Sequence, residues 1–218
     1  MKNNVENRDQ AVQILQEIGC KLYERGLVNG AEGNISLRAG DGTVYISARG
    51  SRLGALRPED VAHITTAGEA LEPGPEPTSE YLLHTLVYQE YPELQVVLHT
   101  HSAHATAVAV NRENVPPLID EMTILLGGGI EVAPYAPPGS PELARGAADG
   151  LRERKGVLLA NHGVVVGGAD PTDALKLAEL VEQACRVFLL AKGGGAVHTI
   201  PEQAFARQRE IYQKKRGR

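Results

Sequence analysis

Residues 156–166 read Gly-Val-Leu-Leu-Ala-Asn-His-Gly-Val-Val-Val. Val157–Ala160 is an apolar run of buried-strand length, Asn161-His162-Gly163 has turn chemistry, and Val164–Val166 is a second, β-branched run. The stretch predicts two buried strands joined by a tight turn that carries a histidine. Gln95-Val96-Val97-Leu98-His99-Thr100-His101 is a further strand, with an apolar start and a histidine-rich end.

Helical and hairpin signals surround these strands. Ala11, Ile14, Leu15, Ile18 and Leu22 fall on one face of a helix over 8–25, which Gly26 and Gly30 stop. Residues 33–38 and 43–47 flank Gly40-Asp41-Gly42 as a hairpin, and Val61–Ile64 forms another strand. The prolines of 72–77 exclude regular structure there. Thr78 or Ser79 is expected to cap a helix running to about Tyr91, and Ser102 one running to about Val110. Residues 118–139 mix short apolar runs with Gly127-Gly128-Gly129, which lacks the spacing of a dinucleotide loop. Ser140-Pro141 and Asp170-Pro171 each place a cap before a first-turn proline, predicting helices to about Arg154 and Lys192. Gly193–Gly195 reads as a flexible joint, and Pro201–Arg218 as a basic, helix-like tail, solvated or frayed. The alternation of helices with hairpin-like strands predicts a layered α/β fold with a partly antiparallel sheet. Residues 1–192 make one domain, and 193–218 the joint and tail.

Composition narrows the function. The 218 residues carry a formal net charge of -5, only 4% aromatics and no Trp. That excludes a general phosphate-backbone binder and leaves few stacking platforms for single-stranded nucleic acid. Cys20 and Cys185 are too few for a disulfide scaffold. The polar stretch from Met1 to Gln10 does not read as a signal peptide, and no apolar run reaches membrane-span length. A cytoplasmic protein that touches no nucleic acid and no membrane is expected.

The chemistry gathers on histidine. On a strand, His99 and His101 point to one face about 6.5 Å apart, close enough to share a cation at about 2.0–2.1 Å from each ring. A lone His-x-His also fits ordinary surface or core histidines. His162, in a similar strand-end setting, makes a third ligand, and three histidines with an open position suit a catalytic metal. Glu80, in the first turn of its helix, reads either as a carboxylate for proton transfer or as dipole complementarity. Thr78 and Ser79, Asn34 with Ser36, and the 47–51 loop with Arg49 are candidate anion sites. His84 and His104 read as packing or supporting residues, and His63 and His198 carry no signal.

Taken together, Gly33-Asn34-Ile35-Ser36, Pro77-Thr78-Ser79-Glu80, His99 through Thr106, Ala133-Pro134-Tyr135 and Asn161-His162-Gly163 resemble the class II aldolase/adducin head family. The resemblance spans about residues 10–192 and implies a central, mostly antiparallel sheet flanked by helices. It also implies a homotetramer with active sites between subunits. His99, His101 and His162 would hold Zn2+, with Mn2+ or Co2+ also fitting, and Glu80 would be the catalytic acid/base. Asn34, Gly50, Thr78 and Ser79 fall at phosphate-binding positions. Arg49 stands where the aldolase pattern has Thr, and Asp120 and Glu121 lie where a Tyr from the adjacent subunit is expected. Tyr212 corresponds to the family's C-terminal Tyr. The implied reaction is reversible aldol cleavage of a phosphorylated ketose, such as L-fuculose 1-phosphate. Dihydroxyacetone phosphate and an aldehyde are the products, formed through a metal-stabilised enediolate. Epimerase, dehydratase and metal-dependent decarboxylase activities share the scaffold, as does a non-catalytic adducin-like module.

Overall fold

A computed structural model describes residues 5–216; Met1–Asn4 and, at the basic end, Gly217 and Arg218 lie outside the described residues. Its strands are β1 (Asn34–Arg38), β2 (Val44–Ser47), β3 (Val61–Ile64), β4 (Val96–Thr100), β5 (Glu131–Ala133), β6 (Gly156–Leu159) and β7 (Gly163–Gly168). They form one sheet in the order β3-β2-β1-β4-β7-β6-β5. Every neighbouring pair is antiparallel except β5 with β6. The mostly antiparallel α/β architecture expected of the family is therefore present, with β4 at its centre.

The described residues form six helices: α1 (Arg8–Glu24), α2 (Tyr81–Glu90), α3 (Ala103–Asn111), α4 (Pro141–Leu151), α5 (Pro171–Gly194) and α6 (Glu202–Arg216). Side chains alternate across a strand, so the sheet feeds two cores. Ile35, Leu37, Val96 and Leu98 pack with Leu15 and Ile18 of α1, Val108 of α3 and Val181 of α5. Val97 and Val165 pack on the other face with Leu83 and Val87 of α2 and Leu143 and Ala147 of α4. His99 follows Val97 by two residues, so it lies on the α2 side.

The caps follow the sequence in two helices and depart from it in two others. Ser140 accepts from the Leu143 N–H at the start of α4, and Asp170 from the Asp173 N–H at the start of α5. At α2 the N-cap residue is Glu80 rather than Thr78 or Ser79, and its side chain makes no capping bond. Ser102 is the N-cap residue of α3 without a capping bond of its own. The carboxylate of Glu182, on α5, takes that role by accepting from the N–H groups of His104 (3.0 Å) and Ala105 (2.9 Å).

Three further features differ from the sequence reading. Residues Met122–Leu126 form a π-helical turn, and a short strand, β5, follows it. Gly193 and Gly194 continue α5 instead of breaking it, and the chain turns at Gly195 with φ 132°. The basic stretch is a docked helix: Tyr212 is buried at 3% exposure beneath Gly127 at the end of the π turn. Arg209 donates to the Gly127 carbonyl and pairs with Glu153.

Truncating a buried aromatic costs about 3–5 kcal/mol in a core, whereas a change in a frayed tail costs within about 0.5 kcal/mol. Tyr212→Ala is therefore expected to lower unfolding stability by roughly 3 kcal/mol, read from urea denaturation followed by circular dichroism. A midpoint equal to that of the parent chain would show that α6 is not docked.

Candidate metal centre

The centre forms where three neighbouring strands end. Antiparallel pairing sets Asn34 of β1 opposite His99 of β4, and β7 on the other side of β4 begins at Gly163, directly after His162. Two glycines permit the close approach. Gly33 has φ 76°, and a Cβ there would stand 2.6 Å from the His99 carbonyl oxygen. At Gly163 a Cβ would lie 2.5 Å from the Thr100 carbonyl oxygen and 2.8 Å from the His101 ring. The turn before it is made by Asn161 in the left-handed region, φ 57°, with its side-chain oxygen accepting from Arg112 at 2.9 Å.

The imidazoles of His99, His101 and His162 form a near-regular triangle, with ring centroids 4.8, 4.7 and 5.0 Å apart. One nitrogen from each lies within 4.8 Å of the others. The fully buried His99 donates its Nδ1–H to the Val164 carbonyl at 3.0 Å, which turns Nε2 inward. A carbonyl behind a ligating histidine is the usual way its tautomer and ring plane are fixed. His99 Nε2 stands 3.0 Å from His101 Nε2 and 3.2 Å from Glu80 Oε2, and Glu80 Oε1 stands 3.5 Å from His162 Nε2. Glu80 Oε1 is buried without a hydrogen-bond donor. Lone pairs and a carboxylate converge on one point, which only a proton or a cation there can relieve. The residues fit a divalent metal.

The electrostatics agree with this arrangement. Burial pushes His101 down to about 4, helped by the fields of His99 and His162, so it stays neutral and able to ligate at neutral pH. His162 is lowered for the same leading reason. Burial alone would raise Glu80, but the hydrogen bond and field of His99, the Asn34 amide and His162 hold it well below the carboxylate range. Asn34 Nδ2 donates to Glu80 Oε2 at 2.9 Å.

The candidate anion residues are placed beside one another. Thr78 N–H donates to the Ser47 carbonyl, Arg49 N–H to the Glu76 carbonyl, and Ala48 bridges Pro77. The loop carrying Arg49 and Gly50 is thus laced to the segment carrying Thr78 and Ser79. Arg49, Gly50 and Ser79 are exposed, and Thr78 is buried with its hydroxyl against the Glu80 N–H. Ser36, read from sequence as an anion residue, is instead buried, with its hydroxyl on His84 and Tyr88. Asp120 accepts from Gln208 of α6, Glu121 precedes the π turn, and Tyr212 packs under Gly127 with its hydroxyl on Arg216. Asp120 and Tyr212 thus find their partners on α6 and at the end of the π turn.

Sequence reasoning missed Glu182. It braces the helix that begins two residues after His101, and it also contacts His104 Nδ1 at 2.6 Å. Burial opposes its charge, but the N–H groups of His104 and Ala105 hold it below its ordinary value. Its only sequence signal was an acidic residue midway along an otherwise apolar helix face.

The family described as Class II Aldolase and Adducin N-terminal domain has a sequence model that matches residues 13–189. A 3-oxo-tetronate 4-phosphate decarboxylase of Haemophilus influenzae is 34% identical over 186 residues, covering 83% of this chain and 88% of that protein. A 5-deoxy-D-ribulose 1-phosphate aldolase of Bacillus thuringiensis serovar kurstaki is 32% identical over 185 residues, covering 84% and 86%. Among solved structures, an L-fuculose 1-phosphate aldolase superimposes with a TM-score of 0.89 at 29% identity, covering 97% of this chain and 99% of that one.

Two measurements test this geometry. Gly163→Ala forces a methyl group into the histidine cradle, and losses of about 10–100-fold in metal affinity are expected for such supporting positions. Competition with a chromogenic chelator reads the loss. His84, fully buried on α2, is held by burial at about 3 against an ordinary 6.5. Below pH 6.5 the unfolded chain takes up a proton that the folded chain refuses, so stability falls as pH drops toward 3 and is complete above 6.5. Between pH 7 and 5 the contribution is on the order of 2 kcal/mol. Urea titrations at the two pH values should show a larger drop for the metal-free parent than for metal-free His84→Gln.

Proposed function

The chain belongs to the class II aldolase and adducin N-terminal domain family, and on that premise we propose a divalent-metal-dependent lyase acting on a phosphorylated keto sugar. The reaction is reversible aldol cleavage of a ketose 1-phosphate to dihydroxyacetone phosphate and an aldehyde. The observation that carries this reading is the convergence of three imidazoles and one ionised carboxylate on a single point.

A zinc ion, or manganese or cobalt, held by His99, His101 and His162 would supply Lewis-acid polarisation of the substrate carbonyl. Glu80 moves the proton at the adjacent carbon: in synthesis the carboxylate removes it, and in cleavage Glu80 passes to the enediolate a proton that it first takes from water. A positioned acid/base of this kind contributes about 10²–10⁴-fold. Its low proton affinity keeps it ionised before substrate arrives. Thr78 and Ser79, with Asn34 and the Arg49-Gly50 loop, bind the phosphate, and this remote anchor holds the reacting carbons in place.

Asp120 bonds to Gln208 of α6, and Glu121 leads into the π turn. The reading includes a homotetramer, in which a neighbouring copy brings one of these acids to the substrate hydroxyl. An exposed Tyr135 beside an open groove of about 860 Å³ between α2 and α4, away from the histidines, supports a subunit contact there. No helix among the described residues is long and apolar enough to cross a membrane, in keeping with a cytoplasmic enzyme.

Decarboxylation of a phosphorylated 3-oxo acid is the second reading. It is favoured by the 34% identical decarboxylase and by the Arg49 cation beside Thr78 and Ser79, which suits a carboxylate. Loss of CO2 from such an acid and cleavage of a ketose 1-phosphate both leave the enediolate of dihydroxyacetone phosphate. Glu80 then has the same task in each. Assays of the zinc-loaded protein against both substrate classes separate them: aldehyde and dihydroxyacetone phosphate in equal amounts for the first, CO2 for the second. Chelation should abolish turnover and re-addition of metal restore it. Glu80→Gln should lower kcat by about 10²-fold or more with three-histidine metal binding retained. Full activity in that variant would remove Glu80 from the mechanism.

A further inference from the structure

Behind Glu80 a row of polar side chains runs through the α2 core. Glu80, His84 and Tyr88 are spaced four residues apart, so they share one face of α2 at a rise of about 6.0 Å per step. Asn34 and Ser36 of β1 share one face of their strand at about 6.6 Å. The two spacings nearly match, and the rows interlock. Asn34 Nδ2 donates to Glu80 Oε2 at 2.9 Å, and Asn34 Oδ1 faces His84 Nε2. His84 Nδ1 faces the Ser36 hydroxyl at 2.7 Å, and Ser36 meets the Tyr88 hydroxyl at 2.9 Å. Tyr88 is anchored in turn by the Val97 N–H at 3.1 Å. Every member is at most 6% exposed.

Donor and acceptor roles then follow from the Asn34 carboxamide. Its N–H goes to Glu80, and its oxygen, which only accepts, faces His84. That oxygen requires an N–H on His84 Nε2. Burial keeps His84 neutral, so its Nδ1 carries a lone pair, into which Ser36 donates. The Tyr88 hydroxyl stands 2.9 Å from the Ser36 oxygen and 3.2 Å from the Gln95 carbonyl, two acceptors for its one proton. The opposite tautomer would turn the Asn34 oxygen onto the Glu80 carboxylate, setting two acceptors against each other in a dry site.

We propose that His84 is a positioning residue whose Nε2–H locks the Asn34 carboxamide and thereby aims Glu80 at the metal centre. The effect on turnover rests on the reading of Glu80 as the proton-transfer group; the tautomer does not. Nitrogen NMR of the zinc-loaded protein carrying 15N-labelled histidine reads the ring directly on the parent chain. The expected result is a proton on His84 Nε2 and none on Nδ1. A proton on Nδ1 overturns the proposal.

Kinetics supply the second arm. Gln at position 84 can present its amide N–H near the Nε2 position, whereas Asn reaches only the Nδ1 position. His84→Asn is expected to lower kcat by about 10–100-fold, with zinc content unchanged, and His84→Gln to recover most of that loss. Equal losses in both variants, or a rise in KM with kcat intact, overturn the positioning role. If the parent chain turns over neither substrate class, the proposed activity fails, while the NMR result still decides the orientation of the chain of hydrogen bonds.

Discussion

The register of β1 against β4 is the constraint on which the site depends. Pairing Asn34 with His99 and Ser36 with Val97 puts the polar residues of β1 on the same side as His99 and beneath α2. A slip of one residue would exchange each strand's two faces. Ile35 and Leu37 would then meet Glu80 and His84, and the polar residues would enter the core lined by α1, α3 and α5. The apolar residues of these strands thus enforce the register that the polar ones need. Gly33 and Gly163 let the flanking backbone come within reach of the same point from two directions.

What this register assembles is a concentration of electron pairs. Nε2 atoms of two histidines 3.0 Å apart, with both oxygens of a buried carboxylate beside them, would be costly in a packed interior without a positive charge to share. The surroundings hold that arrangement in place. The Val164 carbonyl fixes the His99 ring, and the Asn34 amide fixes one Glu80 oxygen. Glu182 ties down the helix that leaves His101. Each bond is ordinary by itself; together they leave the inward-facing lone pairs little freedom to turn away.

Much of this was legible in the chain. The apolar runs 95–98 and 157–160 mark the central strands, and the histidines at their ends follow from a period of two residues and a turn at Gly163. The helix starts at Ser140 and Asp170 are local chemistry and read correctly. Most departures come from tertiary contacts. Thr78 and Ser79 looked like caps because sequence cannot show that Glu80 occupies the cap position while its carboxylate turns to the histidines. Ser36 looked open to an anion because the hydroxyl and imidazole that bind it come from a helix about fifty residues on. Gly193 and Gly194 looked like a hinge because glycine weakens a helix, yet here they extend one already nucleated over more than twenty residues. The tail looked solvated because its charges are evident and its single buried aromatic is not.

Glu182 has a consequence for the charge around the centre. Two helices, α2 and α3, begin near the histidines, and a helix start carries a positive partial charge. At α3 the Glu182 carboxylate answers that charge by accepting from the N–H groups of His104 and Ala105. At α2 the N-cap residue Glu80 turns its carboxylate to the histidines instead of to its own helix. The chain thus places an acid at both helix starts but uses them differently. One is consumed by backbone amides, and the other stays directed at the imidazoles.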